Sequence, residues 1–183
     1  MADSVEDFRI RNMTPAPDPR FRDPITARLA GFLVHIGLEV EPAQLPPDTF
    51  LPGLAIRAGK LLVDESRLRY PGDLLHEGGH LALLPPAQRA QLGDDAGADG
   101  GMEMAAIAWS YAAILHLEMD PAIVFHPAGY KGGAQAILDN FAQRRYIGVP
   151  VLEWLQMTAD GKRAAALGVP PFPHMLKWVN DGE

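Results

Sequence analysis

Two histidines, a glutamate and a pair of glycines interrupt an apolar run in the segment LLHEGGHLALL, residues 74–84. In an α-helix, a separation of four residues turns the chain by about 400° and advances it by about 6 Å. The imidazoles of His76 and His80 therefore project from one face, where both can bind one cation. Glu77 lies about a quarter-turn from His76, close enough to contact a water beside that cation. The H-E-x-x-H pattern thus predicts a metal site.

The composition limits the chemistry of this site, because the chain has no cysteine and therefore no thiolate ligand. Zn²⁺ held by two imidazoles and one carboxylate keeps a position open, and its bound water has a pKa of about 7. We predict that Glu77 acts as general base toward such a water and then as general acid toward the leaving group. We therefore expect a zinc-dependent hydrolase of peptide or amide bonds, with a peptide or protein as its substrate.

Two histidines alone bind zinc weakly, so the motif requires a third ligand. Glu103 is the first choice, since it follows His80 by 103 − 80 = 23 residues and stands near the start of a long apolar helix. Coordination would remove the cost of burying its carboxylate. Glu103 could instead favour the positive end of its helix from a solvated first turn. His116 is on the same helix, too far along the axis to share the ion. The alternative ligands are three loop aspartates, Asp94, Asp95 and Asp99.

Hydrolysis also requires a donor for the negative charge that develops on the carbonyl oxygen. The glycine-rich segment FHPAGYKGG presents two candidates, His126 and Tyr130, in a setting typical of ligand-binding loops. We predict these two residues as catalytic. Gly78 and Gly79 raise a separate question, because glycine in a helix interior costs about 0.8–1 kcal/mol relative to alanine. Our interpretation is that they let a strand or a bound substrate approach the helix backbone.

The elements that position these residues can be predicted from periodicity and turn signals. Helical spacing begins at Pro24 in PITARLAGFLVHIGLEV, and two short apolar runs around RAGK, 54–56 and 61–63, predict a β-hairpin. Asp73 is placed to cap a helix that begins at Leu74. A second helix, MEMAAIAWSYAAILHLEMD, should be buried on most sides and end before Asp120-Pro121.

The remaining chain is predicted to be helical and rich in proline. AQAILDNFAQRRY is amphipathic, and the tail should dock through Phe172 and Trp178. The fold class is therefore α+β, a mostly helical single domain with a small β-sheet or hairpin before the H-E-x-x-H helix. Residues 1–23 are expected to form an extended N-terminal arm and residues 24–183 a single domain with a helical C-terminal part.

Charge and hydropathy exclude several partners. The net charge is −7 without a long basic cluster, so no nucleic-acid partner is expected. No apolar run reaches the length of a membrane span and no signal sequence is evident, so we expect no membrane association and a cytoplasmic protein. The composition specifies no oligomeric state. A non-catalytic metal-binding, interaction or regulatory protein, with a partner surface around Trp154 and Trp178, is the alternative function.

The order of helix, hairpin, H-E-x-x-H helix and long helix opening with a glutamate resembles the minimal zincin-type metallopeptidases. Within that group the chain is most similar to the ImmA/IrrE family, through VDESRLRYPGDLLHEGGHLAL and MEMAAIAWSYAAIL, over about residues 25–120. The resemblance implies a compact zincin-like fold, with His76, His80 and Glu103 as metal ligands and Glu77 as catalytic base. The chain departs from the family at Gly78-Gly79, in having no asparagine or aspartate soon after Glu103, and in showing no helix-turn-helix segment.

Overall fold

Helix α1, Pro24–His35, begins where the sequence predicts it. The computed structural model describes residues 15–93 and 100–182. Asp23 caps the helix, because its carboxylate accepts a hydrogen bond of 2.7 Å from the Thr26 backbone N–H. The helix buries Leu29, Phe32 and Leu33 completely. This apolar face packs α1 into the core beside the metal-motif helix.

A three-stranded sheet follows α1, with the strand order β1-β3-β2. Strands β2, Leu54–Arg57, and β3, Lys60–Val63, pair antiparallel and confirm the predicted hairpin. Ala58 and Gly59 form its turn with φ angles of 49° and 77°, as two-residue hairpin turns require. Strand β1, Glu39–Pro42, pairs parallel with β3 and was not predicted. Such short parallel pairing depends on a partner distant in sequence, so local periodicity does not reveal it.

Helices α2, Asp73–Leu83, and α4, Gly100–His116, pack against each other and form the centre of the domain. A Cβ on Gly79 would lie 3.2 Å from the Ala106 carbonyl oxygen of α4. A Cβ on Gly78 would lie 2.6 Å from Leu33 Cδ2 of α1. The expectation that the two glycines admit a strand or a substrate was therefore wrong. They allow α2 to pack closely between two helices, which the gain in buried contacts favours despite their low helix propensity.

Helix α4 confirms the prediction of a long, mostly buried helix. The side chains of Ala105, Ala108 and Trp109 are fully buried, and Trp109 Nε1–H donates a 2.9 Å hydrogen bond to the Trp178 carbonyl. The helix ends at His116, slightly before the predicted end at Asp120. Its end is near Glu118, whose φ of 53° lies outside the helical region.

The C-terminal half completes the α+β domain with short helices and a docked tail. The tail confirms the predicted docking, since Phe172 is buried and Trp178 packs edge-on against Phe32 at 5.1 Å. In the short helix α3 beside the end of α2, Arg89 donates hydrogen bonds to the carbonyls of Leu81 and Leu84. The remaining α-helices are α3, Pro86–Arg89; α5, Ala134–Ala142; α6, Val149–Trp154; and α7, Gly161–Leu167.

The segment before α1 lies against the domain over its described part. Residues 15–23 contain no helix or strand, yet Phe21 is buried in the core and the Asp18 N–H donates a 2.7 Å hydrogen bond to the Ala27 carbonyl. Residues 1–14 of the predicted arm lie outside the described residues. Within the described ranges, no helix combines the length and apolar character needed to cross a membrane.

Candidate metal centre

Helices α2 and α4 bring His76, His80 and Glu103 together. The two imidazoles stand one turn apart on α2, with their Nε2 atoms 3.3 Å from each other. The first turn of α4 places Glu103 Oε1 3.4 Å from His76 Nε2 and Glu103 Oε2 3.1 Å from His80 Nε2. One ligand atom from each residue therefore lies within 4.8 Å of the others. The structure thus assembles the triad that the sequence analysis placed first.

The separations in this triad fit a tetrahedral metal ion. Nitrogen and oxygen ligands bind Zn²⁺ at about 2.0–2.2 Å, so two ligand atoms of a tetrahedral site lie about 3.3–3.6 Å apart. The distances of 3.1–3.4 Å between the Nε2 atoms and the Glu103 oxygens match or fall just short of that spacing. Two neutral imidazoles and a carboxylate bring more lone pairs than protons to this point, and a cation would satisfy them together.

The pKa values keep these three residues in the forms that bind metals. Burial, together with the neighbouring His80, lowers the pKa of His76 to about 4, so its imidazole is neutral at pH 7. The hydrogen bond from His80 lowers the pKa of Glu103, and the charges of both histidines and of Lys131 act in the same direction. Glu103 is therefore a carboxylate with a side chain that is 40% exposed, on the open side of the site.

The other candidate ligands do not join this cluster within the described residues. His116, at the far end of α4, packs 5.1 Å from the Trp178 ring, in agreement with the expectation that it cannot share the ion. The loop aspartates Asp94, Asp95 and Asp99 lie outside the described residues.

A cavity of about 740 Å³ opens over the triad. Glu77 lines it beside the two imidazoles, as its position on α2 predicts. The exposed side chain of Phe50 and its neighbour Leu51, both preceding β2, line another part of it. The cavity can therefore hold a substrate next to the triad. Its further lining residues are Pro52, Tyr70, Asp73, His126, Ala128, Gly129, Tyr130 and Lys131.

Tyr130 lies in this cavity beside the first metal ligand. Its ring centroid is 5.4 Å from that of His76, in an edge-on arrangement, and 5.3 Å from that of Phe125. Burial raises the pKa of Tyr130, and the negative charges of Asp73, Glu103 and Glu77 raise it further. The phenol is therefore neutral across the physiological range and remains a hydrogen-bond donor.

His126 also lines the cavity, but its ring is bound to protein neighbours. Its Nε2 lies 3.0 Å from Asp73 Oδ1, and its ring stacks on Tyr70 with the centroids 3.8 Å apart. Its Nδ1 is buried and has no hydrogen-bond partner among the described residues. Burial raises the pKa of Asp73, whereas His126 acts in the opposite direction. His126 thus reaches the predicted site with one nitrogen engaged by a carboxylate.

Asp73 corrects one prediction and was missed as a site residue. It is the first residue of α2, and Gly72 occupies the N-cap position without a side-chain hydrogen bond. The predicted capping role of Asp73 was therefore wrong, because its carboxylate turns toward His126. Its spacing of three residues from His76 was the available signal, since such residues share a helix face. Nothing local pointed to Tyr70, whose role depends on stacking with a residue 126 − 70 = 56 positions later.

No protein-family model, characterised protein or solved structure significantly matches this chain. The side chains around the cavity are therefore the observations from which its function is inferred.

Proposed function

We propose that this domain is a zinc-dependent hydrolase of peptide or amide bonds, with a zincin-like fold similar to that of the ImmA/IrrE metallopeptidases. The observation that carries the proposal is the convergence of His76, His80 and Glu103 within 4.8 Å beside a large cavity. These residues would hold Zn²⁺ with two nitrogen ligands and one oxygen ligand. A zinc ion bound in this way supplies Lewis-acid chemistry and makes a water acidic near pH 7.

Glu77 has the position expected of the general base. It is next to His76 on α2 and lines the cavity that contains the triad. A carboxylate there can take a proton from the attacking water and deliver it to the leaving amine. Tyr130 is the neutral donor best suited to stabilise negative charge on the substrate carbonyl oxygen. Asp73 and His126 form a hydrogen-bonded pair in the same cavity, and His126 remains our second catalytic candidate.

Metal analysis tests the first half of the proposal. The purified protein should bind one zinc ion per chain, whereas His76→Ala and His80→Ala should each lose it, because a site with two ligands binds zinc weakly. His35→Ala is a matched control, since His35 is exposed on α1 and does not line the cavity. Equal zinc in the wild type and both site variants would refute the metal centre.

Hydrolysis of a peptide library by zinc-loaded protein tests the second half. Glu77→Gln should retain zinc and lose activity by about 10²–10⁴-fold, because the water loses its proton acceptor. The products can be counted by mass spectrometry. Full activity of this variant would remove Glu77 from the mechanism.

A non-catalytic metal-binding or interaction protein is the second candidate, and one observation favours it. Trp154 is 78% exposed on α6, which is unusual for so large an apolar side chain and typical of partner surfaces. Trp178, the other predicted contact residue, packs against Phe32 and Trp109 and is not available in the same way. Stoichiometric zinc without any hydrolysis by the wild type would favour this candidate.

A further inference from the structure

The cavity over the triad contains one cationic side chain among its described lining residues. Asp73, Glu77 and Glu103 supply carboxylates to this cavity, and Lys131 supplies an ammonium. The side chain of Lys131 forms no ion pair or hydrogen bond with the described residues. A cation that lines a largely acidic cavity without pairing to it remains available to an anion brought by a ligand.

The backbone holds Lys131 in a conformation that L-residues seldom adopt. Tyr130 and Lys131 have φ angles of 54° and 52°, two successive non-glycine residues in the left-handed region. Each such residue costs of order 1 kcal/mol, and residues of this kind cluster at ligand sites. A Cβ on Gly129 would lie only 3.2 Å from His126 Nε2, so the preceding residue packs directly on the Asp73–His126 pair. The loop thus presents Tyr130 and Lys131 to the cavity together.

We propose that Lys131 binds a carboxylate of the substrate and thereby selects acidic peptides; this inference rests on the function proposed above. The chemistry is that of one ammonium and one singly charged carboxylate. A phosphate dianion is usually bound by several donors or by an arginine fork, and the described cavity lining offers neither arginine nor a second lysine. The carboxylate is either the free C-terminus of a peptide or an aspartate or glutamate side chain next to the scissile bond.

Three N-acetylated random hexapeptide libraries distinguish these two sources. The first has a free C-terminal acid and contains no Asp or Glu, the second is identical but has a C-terminal amide, and the third is an amide library that includes Asp and Glu. The wild type should cleave either the first or the third at least about 10-fold faster than the second. A preference for the first identifies the terminal carboxylate, and a preference for the third identifies a side chain.

The variants connect this preference with Lys131. Lys131→Ala should reduce the preference to about 1 while the amide library without acids is cleaved at a rate within about 3-fold of wild type, and Lys131→Arg should retain part of it. Lys162→Ala removes the same charge from an exposed position on α7 and should change nothing. Equal cleavage of all three libraries by the wild type, or a preference that survives in Lys131→Ala, would overturn the inference.

The same libraries separate failure of this inference from failure of the proposed hydrolase. If the zinc-loaded wild type cleaves no library, the hydrolase proposal fails, and retention of each library on the immobilised zinc-loaded protein becomes the measurement. Retention of an acidic library above the amide library, lost in Lys131→Ala and kept in Lys162→Ala, would still support carboxylate binding by Lys131. Equal retention of all libraries would refute it.

Discussion

His76 shows how a single side chain can be prepared for metal binding at a cost to the metal-free protein. Its pKa is about 4 in the folded chain, against an ordinary value of 6.5, chiefly because of burial. A neutral imidazole is the form that binds zinc, so no proton has to be displaced from it near neutral pH. The same burial leaves His76 Nδ1 without a partner among the described residues, and this unsatisfied atom is tolerated only because the surrounding helices are well packed.

The shifted pKa of His76 predicts a pH-dependent stability in the absence of metal. Between pH 6.5 and about 4 the unfolded chain binds a proton at this residue that the folded chain does not, so stability should fall as the pH falls. The slope is about 1.4 kcal/mol per pH unit for one proton, or about 3 kcal/mol across the window. Urea unfolding in the presence of a chelator at pH 7, 5.5 and 4 measures it.

His76→Gln provides the comparison, because it removes this titration and leaves the other histidines in place. The difference in unfolding free energy between wild type and variant should shrink or reverse toward pH 4. Parallel curves for the two proteins would show that the His76 pKa is not depressed in the folded state.

At the scale of elements, the position of α2 depends on close backbone contacts at its start. A Cβ on Gly72, the N-cap residue, would lie 2.0 Å from the carbonyl oxygen of Ile123. That carbonyl belongs to the short 3-10 turn Pro121–Ile123, three residues before His126. Glycine at position 72 therefore lets the metal-motif helix and the segment that carries His126 approach each other.

Gly72→Ala should consequently destabilise the protein by about 3 kcal/mol, since one of two backbone segments must move to relieve the clash. Gly100→Ala is the control, because a Cβ there meets no atom within 4 Å and its effect should be within about 0.5 kcal/mol. Denaturant unfolding of the two variants at pH 7 provides the measurement. A Gly72→Ala protein as stable as wild type would contradict the close packing at this point.

At the scale of the whole molecule, the C-terminal tail is bound to the end of the metal-motif helix. The Asn180 N–H donates to the Ala82 carbonyl, and its side-chain amide donates to the Leu83 carbonyl, both at 2.8 Å. Arg89 of α3 reaches the Asn180 carbonyl at 2.9 Å. The last carbonyls of α2, which have no partner within the helix, are thus satisfied by a segment about one hundred residues later.

Asn180→Ala should cost about 1–3 kcal/mol of stability, because it leaves the buried Leu83 carbonyl without its side-chain donor. Asn140→Ala removes an exposed amide whose hydrogen bond joins two solvated side chains, and should cost less than about 0.5 kcal/mol. Thermal unfolding monitored by circular dichroism compares the two. Equal losses would mean that the tail contributes no specific contact to α2.

Local signals accounted for most of the elements. The start of α1, the β2–β3 hairpin and the long helix α4 all follow from patterns within fewer than twenty consecutive residues, as helical and hairpin propensities do. The errors concerned contacts between elements. Strand β1 needs β3 as its partner, and the role of Gly78 and Gly79 depends on helices that pack against both of them.

What the sequence determined by itself is the pair of imidazoles and the adjacent carboxylate on α2, because helical geometry relates residues three or four apart without reference to the rest of the fold. Only the tertiary structure decided that Glu103 meets His76 and His80, since the loop between the two helices could have placed other carboxylates nearby. It also decided that Asp73 binds His126, 53 residues away, instead of capping its own helix. The physical reason is that burial and pairing energies between distant segments exceed the small local preferences a sequence pattern expresses.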